Sequence, residues 1–110
     1  MADLSHVFPA PPTAVWQALP AGTWALKGTS PRYDQYSGTL DFRTGVTFLS
    51  WGQTVRVQIS PVPEGTRVRV RTAMIFGLYD WGEGKSLCTG FLSAVDRHLR
   101  QGPPQPHPGP

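Results

Sequence analysis

Two stretches of this chain, Val55–Ser60 and Arg67–Met74, alternate between apolar and polar residues. Successive side chains on a β-strand point to opposite faces. Val55, Val57 and Ile59 therefore share one face, and Arg56, Gln58 and Ser60 share the other. In the second stretch Val68, Val70, Thr72 and Met74 lie opposite Arg67, Arg69 and Arg71. When the two pair as a hairpin, apolar faces must coincide, because a slip of one residue inverts a strand. A four-residue loop, Val62-Pro63-Glu64-Gly65, satisfies this. It puts Ile59 across from Val68, Val57 across from Val70 and Arg56 across from Arg71. A three-residue slip would bury arginines. Gly65 suits a loop position that needs positive φ.

The remaining elements follow from punctuation and periodicity. Ser5–Phe8 reads as a short strand that Pro9 stops. Pro11 and Pro12 open a helix, where a missing N–H does no harm. Val15, Trp16 and Leu19 form its apolar face, and Pro20 and Gly22 are expected to end it. Trp24–Gly28 reads as a strand, and Ser30-Pro31-Arg32 as its interruption. Gly38–Phe42 and Val46–Trp51 read as further strands, with a turn at Thr44-Gly45. The last element is the clearest helix. Leu87, Cys88, Phe91, Leu92, Val95 and Leu99 recur at three- and four-residue steps. Asp80 and Glu83 resemble a capping box at its start, and Gly102-Pro103 ends it.

Strands in an unbroken run between two helices argue for an α+β fold. The expected architecture is an antiparallel sheet of about four to five strands gripping a long C-terminal helix, with a short N-terminal helix. The 110 residues suffice for one domain with a real core. That domain is expected over 4–100. Residues 101–110, QGPPQPHPGP, have few amide donors and little to bury, so they read as a disordered proline-rich tail.

Composition excludes several classes. Charged residues are 15% of the chain, against about 25% in a typical domain, so it is no charge-rich disordered polymer. No apolar run approaches the roughly 20 residues needed to span a bilayer. No basic-then-apolar leader is legible at the amino terminus, and the single cysteine, Cys88, can form no intramolecular disulfide. A cytoplasmic location is the expectation. The net charge of +3 does not by itself imply nucleic acid.

The segment His6-Val7-Phe8-Pro9-Ala10-Pro11-Pro12-Thr13-Ala14-Val15-Trp16-Gln17-Ala18-Leu19 places an apolar strand, a proline bend and a Val-Trp-x-x-Leu helix in succession. With the strand opening Gly65-Thr66-Arg67-Val68-Arg69-Val70 and the amphipathic last helix, this order resembles the helix-grip fold of the START-like superfamily (SRPBCC). That superfamily includes the birch-pollen-allergen proteins. The resemblance spans about Ser5 to Leu99 and is nearest to short bacterial members. Typical members are longer, with more strands and a second small helix. The resemblance implies binding of a lipid or other hydrophobic small molecule between the sheet and the last helix.

Candidate ligand-binding residues are then Phe42, Phe48, Val57, Ile59, Val70, Met74, Leu87, Phe91 and Val95. An ordinary packed core would use the same residues. An alternative is a non-enzymatic interaction module. Arg56, Arg67, Arg69 and Arg71 make a one-sided stripe suited to an acidic protein or nucleic acid, and Lys85 is a further anion-binding candidate. The opposed Arg56 and Arg71 repel unless something screens them; Asp41 on a neighbouring strand, solvent ions or a bound anion could do so. A solvated outer face that discourages sheet aggregation explains the same stripe.

No catalytic constellation emerges. Gly82-Glu83-Gly84-Lys85-Ser86 lacks the earlier glycine of a phosphate loop, since Tyr79 occupies that position. His6, His98 and His107 are scattered and suggest no metal set. No cofactor is expected. Cys88, on the apolar stripe, reads as a core thiol. The aromatic-acidic clusters Tyr33-Asp34-Gln35-Tyr36 and Tyr79-Asp80-Trp81 read either as recognition surface or as rings wedged against the core.

Overall fold

The structure, a computed structural model, describes residues 2–44, 52–74 and 83–101. Seven elements follow one another: β1 (Ala2–Phe8), α1 (Pro12–Ala25), β2 (Thr29–Asp34), β3 (Thr39–Arg43), β4 (Gln53–Val62), β5 (Gly65–Met74) and α2 (Glu83–Gln101). The strands form one antiparallel sheet in the order β1-β5-β4-β3-β2. Both helices pack on the same face of it, and α1 also packs on α2.

The β4–β5 register is the one the alternation demands. Ile59 pairs with Val68, Val57 with Val70 and Arg56 with Arg71. Pairing runs further than expected, to Val62 opposite Gly65, so the connection is the two residues Pro63 and Glu64. Gly65 has φ +147, and a Cβ there would collide with the Phe8 carbonyl oxygen. The next residue, Thr66, is buried and donates its hydroxyl to the Ala10 carbonyl at 2.8 Å. The hairpin end is thereby tied to the bend between β1 and α1.

α1 corrects two expectations. It runs through Pro20 and Gly22 to Ala25. Pro20 removes one backbone donor, that to the Trp16 carbonyl, but its ring lies on the exposed side. Beyond it, Gly22 and Thr23 are buried, and a Cβ on Gly22 would come 2.5 Å from the Phe91 ring. Packing on α2 thus outweighs the lost hydrogen bond. Trp24 and Ala25 are consequently helical, not strand, and Trp24 is 82% exposed.

The helix ends in a Schellman motif: the Gly28 amide donates to Thr23 O at 2.9 Å and the Lys27 amide to Trp24 O at 3.0 Å. Lys27 takes the left-handed conformation there, with φ 54. The motif usually places glycine at that position; here the glycine comes one residue later, which disguises the signal.

Ser30-Pro31-Arg32 does not interrupt the sheet but lies inside β2. β2 is an edge strand, exposed along its whole length, and an edge tolerates proline. A bulge between Thr29 and Arg32 and a left-handed Ser30, φ 53, make room for it. The turn at Thr44-Gly45 is described only at Thr44. The expected strand at Val46–Trp51, the cap at Asp80, the Tyr79-Asp80-Trp81 cluster and the tail from Gly102 lie outside the described residues.

The core is one cluster. Phe42 of β3 and Phe91 of α2 stack with centroids 5.9 Å apart and an interplanar angle of 23°. Around them are Leu40, Val55, Val57, Val68, Val70 and Val95, with Val15, Ala18 and Leu19 of α1, all fully buried. Cys88 is buried among them and donates its thiol to Val70 O at 3.4 Å.

Adjacent substitutions at the end of α1 should act in opposite directions. Lys27→Gly relieves a left-handed lysine and should raise stability by up to about 1 kcal/mol. Gly28→Ala drives a methyl into the Phe42 ring and should lower it by about 1–3 kcal/mol. Urea denaturation of the two variants beside the parent measures both.

Candidate functional site

Five of the candidate ligand residues come together in the interior. Phe42, Val57, Val70, Phe91 and Val95 are all at most 1% exposed, and they touch one another rather than line a space. Ile59 is partly buried at the edge of the cluster, and Leu87 is half-buried on α2. Met74 ends β5 opposite Gln53. Its side chain and Phe48 lie outside the described residues.

A groove of about 720 Å³ lies at the other end of α2. Three elements converge there because β1, the bend after it and the last turns of α2 all reach the hairpin end of the sheet. His6 and Phe8 sit on the inner face of β1, two residues apart, with their rings edge-to-face at 4.7 Å. Pro9 and Ala10 follow in the bend, and Thr13, Ala14 and Gln17 come from α1. α2 contributes Asp96, His98, Leu99 and Arg100. Phe8, Ala10, Ala14 and Leu99 are buried or half-buried, whereas His6, Thr13, Gln17 and Arg100 are exposed. The groove therefore has an apolar floor and a polar rim. Arg100 is held by Asp96 one turn earlier, at 2.9 Å. A smaller hollow of about 310 Å³ continues between β1 and α2, past Leu4, Leu92 and Ser93. Spacing pointed only to the sheet-facing stripe of α2. The groove needs the β1–α1 bend to meet the last turn of α2, and that closure is tertiary.

No layer of the described residues covers the outer face of the sheet. It carries Arg32, Arg43, Arg56, Arg67, Arg69 and Arg71, against Asp3, Asp34 and Asp41. Arg56 is drawn toward β3 by Asp41: its Nε donates to Oδ1 at 2.7 Å and its Nη2 to Oδ2 at 3.3 Å. This answers the repulsion from Arg71 directly opposite. On the other flank Arg69 donates to both carboxylate oxygens of Asp3, at 3.0 and 2.6 Å. Lys85 is not part of this face. It is exposed on α2, and the sheet stands between it and the arginines.

Tyr33 packs edge-on against Trp16, centroids 5.9 Å apart, so it wedges the β2–β3 hairpin against α1. Tyr36 at the hairpin tip is fully exposed. Among the described residues, no group of three or more His, Cys, Asp or Glu could hold a metal ion. Among them, too, no helix is long and apolar enough to cross a membrane.

An antiparallel sheet curled over a long C-terminal helix, with a helix inserted after the first strand, is shared with several solved structures. Ara h 8.0201 superposes with a TM-score of 0.65 at 12% identity, covering 91% of this chain and 97% of its own. A protein of Thermus thermophilus gives 0.62 at 15% identity, covering 93% and 99%. The di-domain ARO/CYC StfQ of the steffimycin biosynthetic pathway gives 0.64 at 13% identity over 92% of this chain and 45% of that one. The chain has the helix-grip fold. At these identities the likeness is one of fold alone. The sequence itself matches no family profile and no curated protein. Within the helix-grip frame, this chain packs Phe42, Val57, Val70, Phe91 and Val95 together between the sheet and α2.

The flank pair makes a pH prediction. Hydrogen bonds from Arg69 hold the Asp3 carboxyl below its ordinary value of 3.8. A lowered folded-state pKa adds stability above the unfolded value, lost as pH falls through the folded one. Asp3→Asn should therefore be less stable than the parent at neutral pH. The gap should close on acidification below about pH 4. Thermal melts of both proteins across that range check the sign.

Proposed function

We propose that this protein binds an apolar small molecule with a polar end, in the groove between the β1–α1 bend and the last turns of α2. The observation that carries the reading is the groove itself, about 720 Å³ with an apolar floor and a polar rim. Ligand sites commonly enclose about 300–1,000 Å³, mostly apolar, with a few polar groups that fix orientation. Phe8, Ala10, Ala14 and Leu99 would take the apolar body. Arg100, His98 and His6 would meet a polar or anionic end.

The fold supports a binding role, since the helix-grip frame suits the enclosure of a ligand against a sheet. The groove is the lower continuation of that sheet–helix space, displaced toward the hairpin end. Phe42, Val57, Val70, Phe91 and Val95 then act as the rigid wall behind it rather than as its lining. Half-buried Ile59 marks an edge of that wall. A ligand at Phe91 itself would have to displace the Phe42 ring and the Gly22 backbone, which a densely packed interior resists.

Native mass spectrometry of protein gently purified from its own host tests the reading first; a retained small-molecule mass is expected. A neutral fluorescent probe, N-phenyl-1-naphthylamine, then locates the site. Ala14→Trp should fill the groove and weaken probe binding roughly tenfold or more, with the melting temperature little changed. Unchanged affinity in that folded variant would remove the ligand from the groove.

A further inference from the structure

A second cleft, of about 590 Å³, opens on the opposite side of the molecule, across β2, β3 and β4 on the outer face of the sheet. Its polar lining is Ser30, Arg32, Asp41, Arg43, Thr54 and Arg56. We propose that this cleft binds the phosphate of a phosphate monoester.

The register assembles the cations. Arg32 pairs with Asp41, Asp41 pairs with Arg56, and Arg43 pairs with Thr54, so all project from the same face within two neighbouring rows. Asp41 takes hold of Arg56 through Nε and one terminal nitrogen. The guanidinium is thereby turned into the cleft, and its other terminal nitrogen keeps its donors. No acceptor among the described residues holds the side chain of Arg32 or Arg43. Three guanidinium groups and one carboxylate leave a charge of two, the complement of a phosphate dianion near neutral pH. Arginine forks match phosphate oxygens two at a time.

The backbone supplies a separate argument. β2 carries an extra residue at this point and holds Ser30 in the left-handed region, φ 53. A non-glycine residue there is strained, and bulges beside binding sites re-aim side chains. Here the bulge brings Ser30 to the cleft and carries Arg32 back into register with Asp41. An edge strand that only needed protection from aggregation already has Pro31. The inference is independent of the groove, which lies on the other face and has its own probe.

Titration of the full chain with phenyl phosphate, followed by ¹H–¹⁵N NMR, tests it. Saturable shifts are expected at the Ser30, Arg32 and Arg43 amides and at the Nε–H signals of Arg32, Arg43 and Arg56. Arg32→Ser with Arg43→Ser should weaken binding roughly tenfold or more, because two charge-assisted contacts go. Both residues are exposed, and an unchanged melting temperature confirms the fold. Arg67→Ser, on the same face but outside the cleft, should leave binding unchanged. Equal loss in Arg67→Ser would mean that the whole face merely attracts anions, and would overturn the site. So would shifts that never saturate, or an oligonucleotide that binds tighter and depends equally on Arg67 and Arg69. Phosphatidic acid vesicles distinguish a lipid headgroup from a soluble ester. Tighter binding to them, lost in the double variant, supports the cleft and assigns its phosphate to a lipid.

Discussion

The contact between Phe42 and Phe91 closes the fold. One ring comes from the fourth residue of a five-residue strand and the other from near the middle of a nineteen-residue helix. Their stacking fixes how near α2 lies to the sheet, and adds about 0.5–1.5 kcal/mol beyond the area it buries. Two glycines of or beside α1 depend on it. Gly22 faces the Phe91 ring and Gly28 faces the Phe42 ring, each with no space for a Cβ. α1 can lie this close only because those side chains are missing, and its course through Pro20 follows from the same contact.

That closure decides where a ligand has room. The sheet is small, and a large aromatic on each side fills the middle of the sheet–helix interface. Space remains where α2 runs past the hairpin end and meets the β1–α1 bend. Thr66 and Gly65 set that meeting, one through its hydrogen bond to Ala10 and the other through its close approach to Phe8. The polar rim follows from position: the last turns of a helix favour cations, and Arg100 and His98 stand there.

Much of this was legible because period-two and period-four patterns report burial directly. The valine–arginine alternation specified the β4–β5 register pair by pair, and the stripe from Cys88 to Val95 specified the buried face of α2. Patterns failed where a local signal was overruled by tertiary contact. Pro20 is a helix breaker by its own chemistry, yet two buried residues beyond it kept the helix going. Lys27 carries a conformation that sequence assigns to glycine. Pro31 reads as a break because only an edge strand tolerates it, and which strand is the edge is a property of the finished sheet. The groove and the cleft were missed for a related reason. Each is built from short contributions of several elements, and no single spacing encodes them.

The core and the outer cleft are linked by three consecutive residues. Asp41, Phe42 and Arg43 alternate across β3: the middle side chain enters the interior, and its neighbours face the cleft. The strand is stiff along this direction, because Asp41 and Arg43 each pair on both sides and Phe42 pairs with Val55 of β4. Locking Phe42 against Phe91 therefore also fixes the spacing of Asp41 and Arg43. The other side of the cleft is β2, with its bulge and left-handed Ser30, on the edge where sheet hydrogen bonding is one-sided. The arrangement is that of a rigid wall bearing Asp41, Arg43 and Arg56 with one lip bearing Ser30 and Arg32. It follows from placing a large aromatic between two charged residues on a strand one position from the edge.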